Sequence, residues 1–456
     1  MIKVLRWLFN AEVPFSPSKS PCFYGWVIMV AAMMGMILSI PGQTMGVGPF
    51  KEELMFNLSL NSQQLSWAYF FGTCASGLTL PWVGTKIDQY GVRPSMVAAG
   101  ILFAFTLLIC SQLELILGTI AYFLNYNYRT WISWALITLC FFAIRFLGQG
   151  VLTICCRTML SRWFDLRRGL VYGLGLAIST LGFGMAPWLL TQLIRKEGWL
   201  GAYFALACFV LLGTVLIAWA FFRETPESCG LRMDGLSEKE TVHLRAKLNH
   251  DDLKMVRDLT RSEAMATYSF WVFNLSLGFW GLYHTGFTFH MISVGNQLGL
   301  EEGRIAELFI PIAIVSVLAN LTFGQWADKL RMKRILVVMI LSCMLGNAGL
   351  LTIPHHQLIG EVVLVLGLGI SGGLFGVVAG VVWARFFGRK HLGAINGVFM
   401  LTTVIGSALG PLLFAEYERW LGSYQGVYIT ATLILLLLAV SSLWADNPQR
   451  KWHTGD

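Results

Sequence analysis

ISWALITLCFFAIRFLGQGVLTICC, residues Ile132 to Cys156, decides the fold. The stretch is longer than the roughly 20 apolar residues needed to cross a bilayer, and Arg145, near its centre, is its one charge. A charge at the bilayer midplane costs about 2.5–3.5 kcal/mol on insertion scales, so it faces a water-filled cavity or a partner. No Asp or Glu lies near the middle of any other apolar span to neutralise it. That leaves two readings. Either the counter-charge comes and goes as an anionic substrate, or the guanidinium bonds backbone carbonyls and polar neighbours to hold helices together.

The rest of the chain agrees with a membrane reading. Of its 456 residues, 56% are hydrophobic and only 13% charged, against about 25% charged in soluble proteins; mean hydropathy is +0.64. Twelve spans are expected, at 23–47, 66–86, 95–117, 132–156, 170–194, 199–222, 269–291, 305–326, 335–353, 359–384, 392–415 and 424–445. No cleavable signal sequence is expected, and Val4–Phe9 is a candidate interfacial helix. With the N-terminus inside, the outer loops hold only Lys51, Arg129, Arg195, Lys196, Arg304 and Arg419 of the 33 Lys and Arg. Positive charge marks the cytoplasmic side, so both termini are expected there. The net charge of +8 then reflects topology rather than nucleic-acid binding. The nine cysteines lack metal-ligand spacing, and Cys155–Cys156 read as packing. No metal, cofactor or disulfide is expected.

The spans fall six and six about a polar stretch, giving an N-terminal half at 1–222, a cytoplasmic linker at 223–268 and a C-terminal half at 269–456. The halves repeat each other. Gly84, Asp88 and Arg93 after span 2 correspond to Gly324, Asp328 and Lys333 after span 8 at an offset of 240. Gly169, Gly173, Gly182 and Pro187 correspond to Gly393, Gly397, Gly406 and Pro411 at an offset of 224. Two parallel six-helix halves are the layout of a secondary transporter with a site near the midplane.

These motifs resemble the major facilitator superfamily. Gly84, Asp88, Gly91 and Arg93 match its signature between spans 2 and 3, and Arg145 with Gly148 and Gly150 resembles its span 4 pattern. A narrower similarity is to the monocarboxylate/oxalate-type branch and its uncharacterised bacterial relatives. It rests on Tyr24-Gly25-Trp26, Arg162-Trp163-Phe164, Pro226-Glu227 and Thr288-Phe289-His290. The chain departs from the animal-type carriers in having no charge between Lys19 and Lys51, and Asn320 where the branch has an Arg in span 8.

The resemblance implies that spans 1, 4, 7 and 10 line a cavity. Span 1 then offers Ser39, Gln43 and Thr44 around Pro41-Gly42, a pair able to break the helix. Span 4 offers Arg145 and Gln149, four apart and so on one helical face. Span 7 offers Tyr283, His284 and, nearer the outer end in a wetter place, His290; span 8 offers Asn320. His284 is either a proton carrier or a neutral histidine bonded between helices. Other proton candidates are His290, Glu114, Glu307 and the substrate's own carboxylate. Asp88, just before span 3, can accept backbone N–H bonds at that helix start and pair with Arg93. The resemblance implies that Gly84, Asp88 and Arg93, with Gly324 and Asp328, latch the halves on the cytoplasmic side. The glycines of spans 5 and 11 are expected to allow close approach across the halves.

The expected fold is thus an all-α polytopic membrane protein of twelve transmembrane helices in two pseudo-symmetric six-helix halves. The expected function is secondary transport of a small organic anion by alternating access, coupled to protons, in a bacterial plasma membrane. The partners are that small-molecule substrate, protons and the lipid bilayer, with no nucleic acid. An efflux carrier for amphipathic drug-like compounds and a non-transporting receptor are the alternatives. No nucleophile–base pair suggests an enzyme.

Overall fold

The computed structural model describes residues 10–124, 129–164, 167–236, 240, 257–301, 303–326, 330–388 and 391–449. The apolar runs become helices because hydrocarbon offers backbone N–H and C=O groups no other partner. Helix α1 is Gly25–Leu38, α2 Ser62–Tyr90 and α3 Val92–Ser111. Helix α4 begins as Arg129–Ile144, widens to a π-helix over Arg145–Leu152, and returns to α geometry over Thr153–Trp163. One run, Arg168–Phe221, supplies α5 (168–197) and α6 (199–221), divided at Gly198 with φ of 70°. The remaining helices are α7 Tyr268–Phe289, α8 Arg304–Trp326, α9 Met332–Thr352, α10 Gln357–Phe387, α11 Leu392–Leu421 and α12 Gln425–Ser442. They correspond one to one with the twelve expected spans. Eight stretches among the described residues are long and apolar enough to cross a membrane outright, one of them Leu174–Phe221, which holds two crossings.

Boundaries differ where the chain bends. Span 1 stops being an α-helix at Ser39. Span 3 ends at Ser111, and a separate helix, Leu113–Leu124, follows with Leu113 and Leu117 buried and Leu115, Tyr122 and Phe123 exposed. Val4–Phe9 lies outside the described residues.

The chain divides into two compact units, Met1–Asp251 and Asp252–Asp456. The same helix pairings recur in each: α1 on α5 and α7 on α11, α2 on α4 and α8 on α10, α3 on α6 and α9 on α12. The glycines of spans 5 and 11 serve these pairings. A Cβ at Gly182 would lie 2.9 Å from the Ile37 side chain, and one at Gly406 2.6 Å from the Gly278 carbonyl. The close neighbours of Gly182 and Gly406 belong to the leading helix of their own half.

The repeat extends to the helix ends. Arg93 donates to the carbonyl of Trp219 near the end of α6, and Lys333 Nζ donates to the carbonyl of Leu443 just past α12, at 3.0 Å. Trp219 and Leu443 are again 224 apart. Arg93 also donates to Asn10 and Val13 carbonyls at 2.9 and 2.7 Å, while Arg223 takes those of Ala11 and Phe15 at 2.6 and 3.1 Å. Residues 10–15 thus strap the end of the first bundle. Burial holds the Arg223 guanidinium below its usual range.

The ends of the stretch read as a linker belong to the bundles. Arg167 N donates to Asp234 Oδ1 at 3.0 Å in the first unit; in the second, Leu259 N donates to the Phe387 carbonyl at 2.9 Å. Asp88 lies inside α2, which continues to Tyr90. The carboxylate at the start of α3 is Glu224, which accepts Val92 N at 2.9 Å, Arg93 N at 2.8 Å and Arg162 Nη1 at 2.7 Å. The surroundings of Gly84, the side chain of Asp88 and all of Asp328 lie outside the described residues.

Candidate functional site

Pro41 brings no N–H and Gly42 no side chain, and the α-helix gives way there to a 3-10 turn, Ile40–Gly42. Gln43 is extended, with φ −88° and ψ 159°, before a short helix over Thr44–Val47. The break leaves the Gly42 carbonyl aimed at span 4. Arg145 Nη1 donates to it at 3.3 Å and to Thr44 Oγ1 at 3.3 Å. The Thr44 hydroxyl bonds the Tyr69 hydroxyl at 2.7 Å, and the Arg145 guanidinium lies 5.1 Å from the Tyr69 ring centroid. Arg145 is 2% exposed and its Nε has no partner. Among the described residues no salt bridge involves Arg145. Two long hydrogen bonds and a cation–π contact are modest compensation for a full charge at this depth.

The π-helix starts at this residue, as such segments often do at functional sites. Its backbone comes against the break in span 1: a Cβ at Gly42 would sit 2.3 Å from the Ile144 carbonyl and 2.7 Å from Gly148 Cα. The Thr153 hydroxyl donates to the carbonyls of Gln149 and, at 3.0 Å, Gly150. Gln149 is half-buried on the same segment. The α-helical spacing used to set it above Arg145 does not apply to i→i+5 geometry, so that expectation is corrected. Gln43 Nε2 bonds Ser39 Oγ at 3.1 Å, bridging the break it was expected to line.

In the second unit, α7 runs unbroken. Tyr283 is 1% exposed and its hydroxyl has no partner. His284 is half-buried and stacks on Trp280, with centroids 4.6 Å apart. Asn320 Nδ2 donates to the Gly373 carbonyl at 3.1 Å, tying α8 to α10. His290 is not wet: it is wholly buried, with Nδ1 3.0 Å from the Tyr424 hydroxyl and Nε2 2.8 Å from the Pro411 carbonyl. The carbonyl can only accept, so Nε2 carries a proton and the ring is held between α11 and α12. Glu307 pairs with Arg304 at 3.0 Å, and Glu361 pairs with the same guanidinium at 2.6 Å.

The structure therefore gathers Arg145, Thr44 and the break beside Gln43 in one unit, and His284 with Trp280 in the other. Sequence reasoning missed Tyr69, Trp280 and Glu224. Tyr69 had a signal: a buried tyrosine hydroxyl seeks a partner, and few polar groups lie at that depth. Trp280 stands four residues before His284 and so on its face.

The Major Facilitator Superfamily description matches residues 25–371. Human Monocarboxylate transporter 12 is 22% identical, over 96% of this chain and 86% of its own. Mouse Monocarboxylate transporter 9 is 24% identical, over 92% and 93%. An MFS-type transporter of Gibberella moniliformis is 22% identical, over 93% and 91%. Among solved structures, the nucleoside transporter NupG superposes with a TM-score of 0.62 at 13% identity, covering 92% of this chain and 99% of that one.

Proposed function

This chain belongs to the Major Facilitator Superfamily as a multi-pass membrane transporter related to the monocarboxylate transporters, and from that premise we propose that it carries a small organic anion by alternating access. The observation that supports this reading is Arg145, buried at mid-span with its Nε unpartnered and without a salt bridge among the described residues. An anion arriving there neutralises the charge in one access state and leaves it in the other, and such differential binding drives a population shift. Protons are coupled through His284 or the substrate's own carboxylate. The bias of Lys and Arg supports placing both termini on the cytoplasmic side, in a reading that sets the chain in a bacterial plasma membrane. The segment holding Gly84 and Asp88, with its copy at Gly324 and Asp328, governs the alternation; Arg93, expected to join it, is engaged with the strap carbonyls.

The test is ligand stabilisation of the purified protein, since a ligand that binds only the folded state raises its unfolding temperature. Monocarboxylates should stabilise the parent, their neutral amides should not, and Arg145→Ala should lose the effect. Equal stabilisation by acid and amide would instead favour an efflux carrier for amphipathic compounds, the reading that the aromatic rings around His284 support.

A further inference from the structure

Helix α7 has a lipid-facing stripe, Tyr268, Trp271 and Leu275, all exposed. At 100° per residue, Trp280 and His284 lie about 140° and 180° from Leu275, on the opposite face. Yet both are only half-buried. On α10 the exposed stripe is Ile359, Val362 and Leu366, and Phe375 lies about 180° from Leu366. Phe375 is again only half-buried. These three rings form one stack. Trp280 lies 4.6 Å from His284 with planes at 16°, and 4.2 Å from Phe375 with planes at 20°.

The stack is held in place. Trp280 Nε1 donates to Ser371 Oγ at 3.3 Å, and Ser371 Oγ donates in turn to the Leu368 carbonyl at 3.0 Å. A Cβ at Gly372 would lie 3.3 Å from Ser316 Oγ and in ordinary contact with the Trp280 ring at 3.7 Å, so α10 packs closely beside the indole. An imidazole and a hydroxyl-bonded indole on the face away from lipid are poorly suited to hydrocarbon. They suit a flat ligand, because parallel rings already fixed in orientation lose little freedom when another ring joins them.

We propose that the carried anion bears an aromatic ring, and that the stack of His284, Trp280 and Phe375 selects for it, with Trp280 in the middle holding the two outer rings parallel so that a further ring can join at an outer face. The proposal rests on the organic-anion reading above and narrows it from acids in general to ring-bearing acids.

Binding of 3-phenylpropionate and 3-cyclohexylpropionate to the full-length protein in detergent separates the possibilities, since the two acids match in charge and carbon count. The parent should favour the phenyl acid by about two- to tenfold, the worth of an aromatic pair beyond its buried area. Trp280→Leu should bring the ratio close to one, and Trp280→Phe should keep most of it. Phe375→Leu should lower the same ratio and stands in should Trp280→Leu fail to fold. A parent without ring preference, or a preference that survives in Trp280→Leu, overturns the proposal. In that case the anion reading stands as long as Arg145→Ala weakens both acids. If neither acid binds the parent, or Arg145→Ala binds both as the parent does, the anion reading itself falls and the ring proposal with it.

Discussion

The two halves share their helix pairings but treat the leading helix differently. In the first, α1 breaks over Ser39–Gln43 and presses glycine against the π segment of α4. In the second, α7 runs whole from Tyr268 to Phe289, and Gly406 and Gly410 of α11 close directly onto its backbone, at Gly278 and Leu282. The 224-residue register places Gly369 where the first half has Arg145, and Gly372 where it has Gly148. One half thus gives up regular backbone to bring a carbonyl and a hydroxyl to a buried cation. The other keeps regular backbone and presents rings. Irregular backbone at membrane depth is stable only where it is buried in protein or lines a cavity, and the break in α1 is buried against α4.

The sharpest way to break this comparison is to fill the contact between the broken helix and the π segment. Gly42→Ala puts a methyl 2.3 Å from the Ile144 carbonyl and should destabilise by about 1–3 kcal/mol, the cost of overpacking. Gly397→Ala in α11 meets nothing within 4 Å and should leave stability unchanged or raise it by up to about 1 kcal/mol. Unfolding midpoints of the two variants in detergent give the contrast; equal losses would mean that the glycines are interchangeable and the break is not special.

A smaller difference is expected at the helix ends. Glu224 caps α3 and pairs with Arg162, so Glu224→Gln should cost about 1 kcal/mol. Asp446→Asn removes a half-exposed partner of Lys333 and should cost only a few tenths of a kcal/mol, as surface pairs do. The same unfolding measurement ranks them, and the reverse order would show that the second half depends more on its end pair than the first.

The subtlest effect concerns His284, where the intact half would touch protons. Uptake of a substrate ionised throughout about pH 5–8, the range in which histidine titrates, should depend on pH in the parent. In His284→Gln the profile should flatten or shift. Superimposable profiles would make His284 a ring of the stack and nothing more.

Much of this was legible in the chain. The twelve spans follow from uninterrupted apolar runs, the break in α1 from Pro41-Gly42, and the singularity of Arg145 from the lack of any other mid-span charge. Other features depend on which backbone atoms meet, and sequence patterns do not carry that. The π geometry of Arg145–Leu152 is a hydrogen-bond pattern laid on an ordinary helical sequence. Glu224 reaches Val92 across 132 residues, a separation that no local pattern signals. His290 seemed wet from its position near a helix end, whereas Tyr424 and Pro411 close over it from distant helices. Gly182 and Gly406 are sites of close approach and Gly397 is not, and repetition alone does not say which helix approaches.

The central claim, that Arg145 holds the charge of the carried anion, is tested most directly by uptake into proteoliposomes of a radiolabelled monocarboxylate that stabilises the parent. Arg145→Lys keeps the charge but not the forked geometry and should retain part of the uptake. Arg145→Ala should lose it while still eluting as a folded protein. Uptake by Arg145→Ala at the parent's rate would contradict the account, leaving Arg145 a residue that holds α4 to the break in α1.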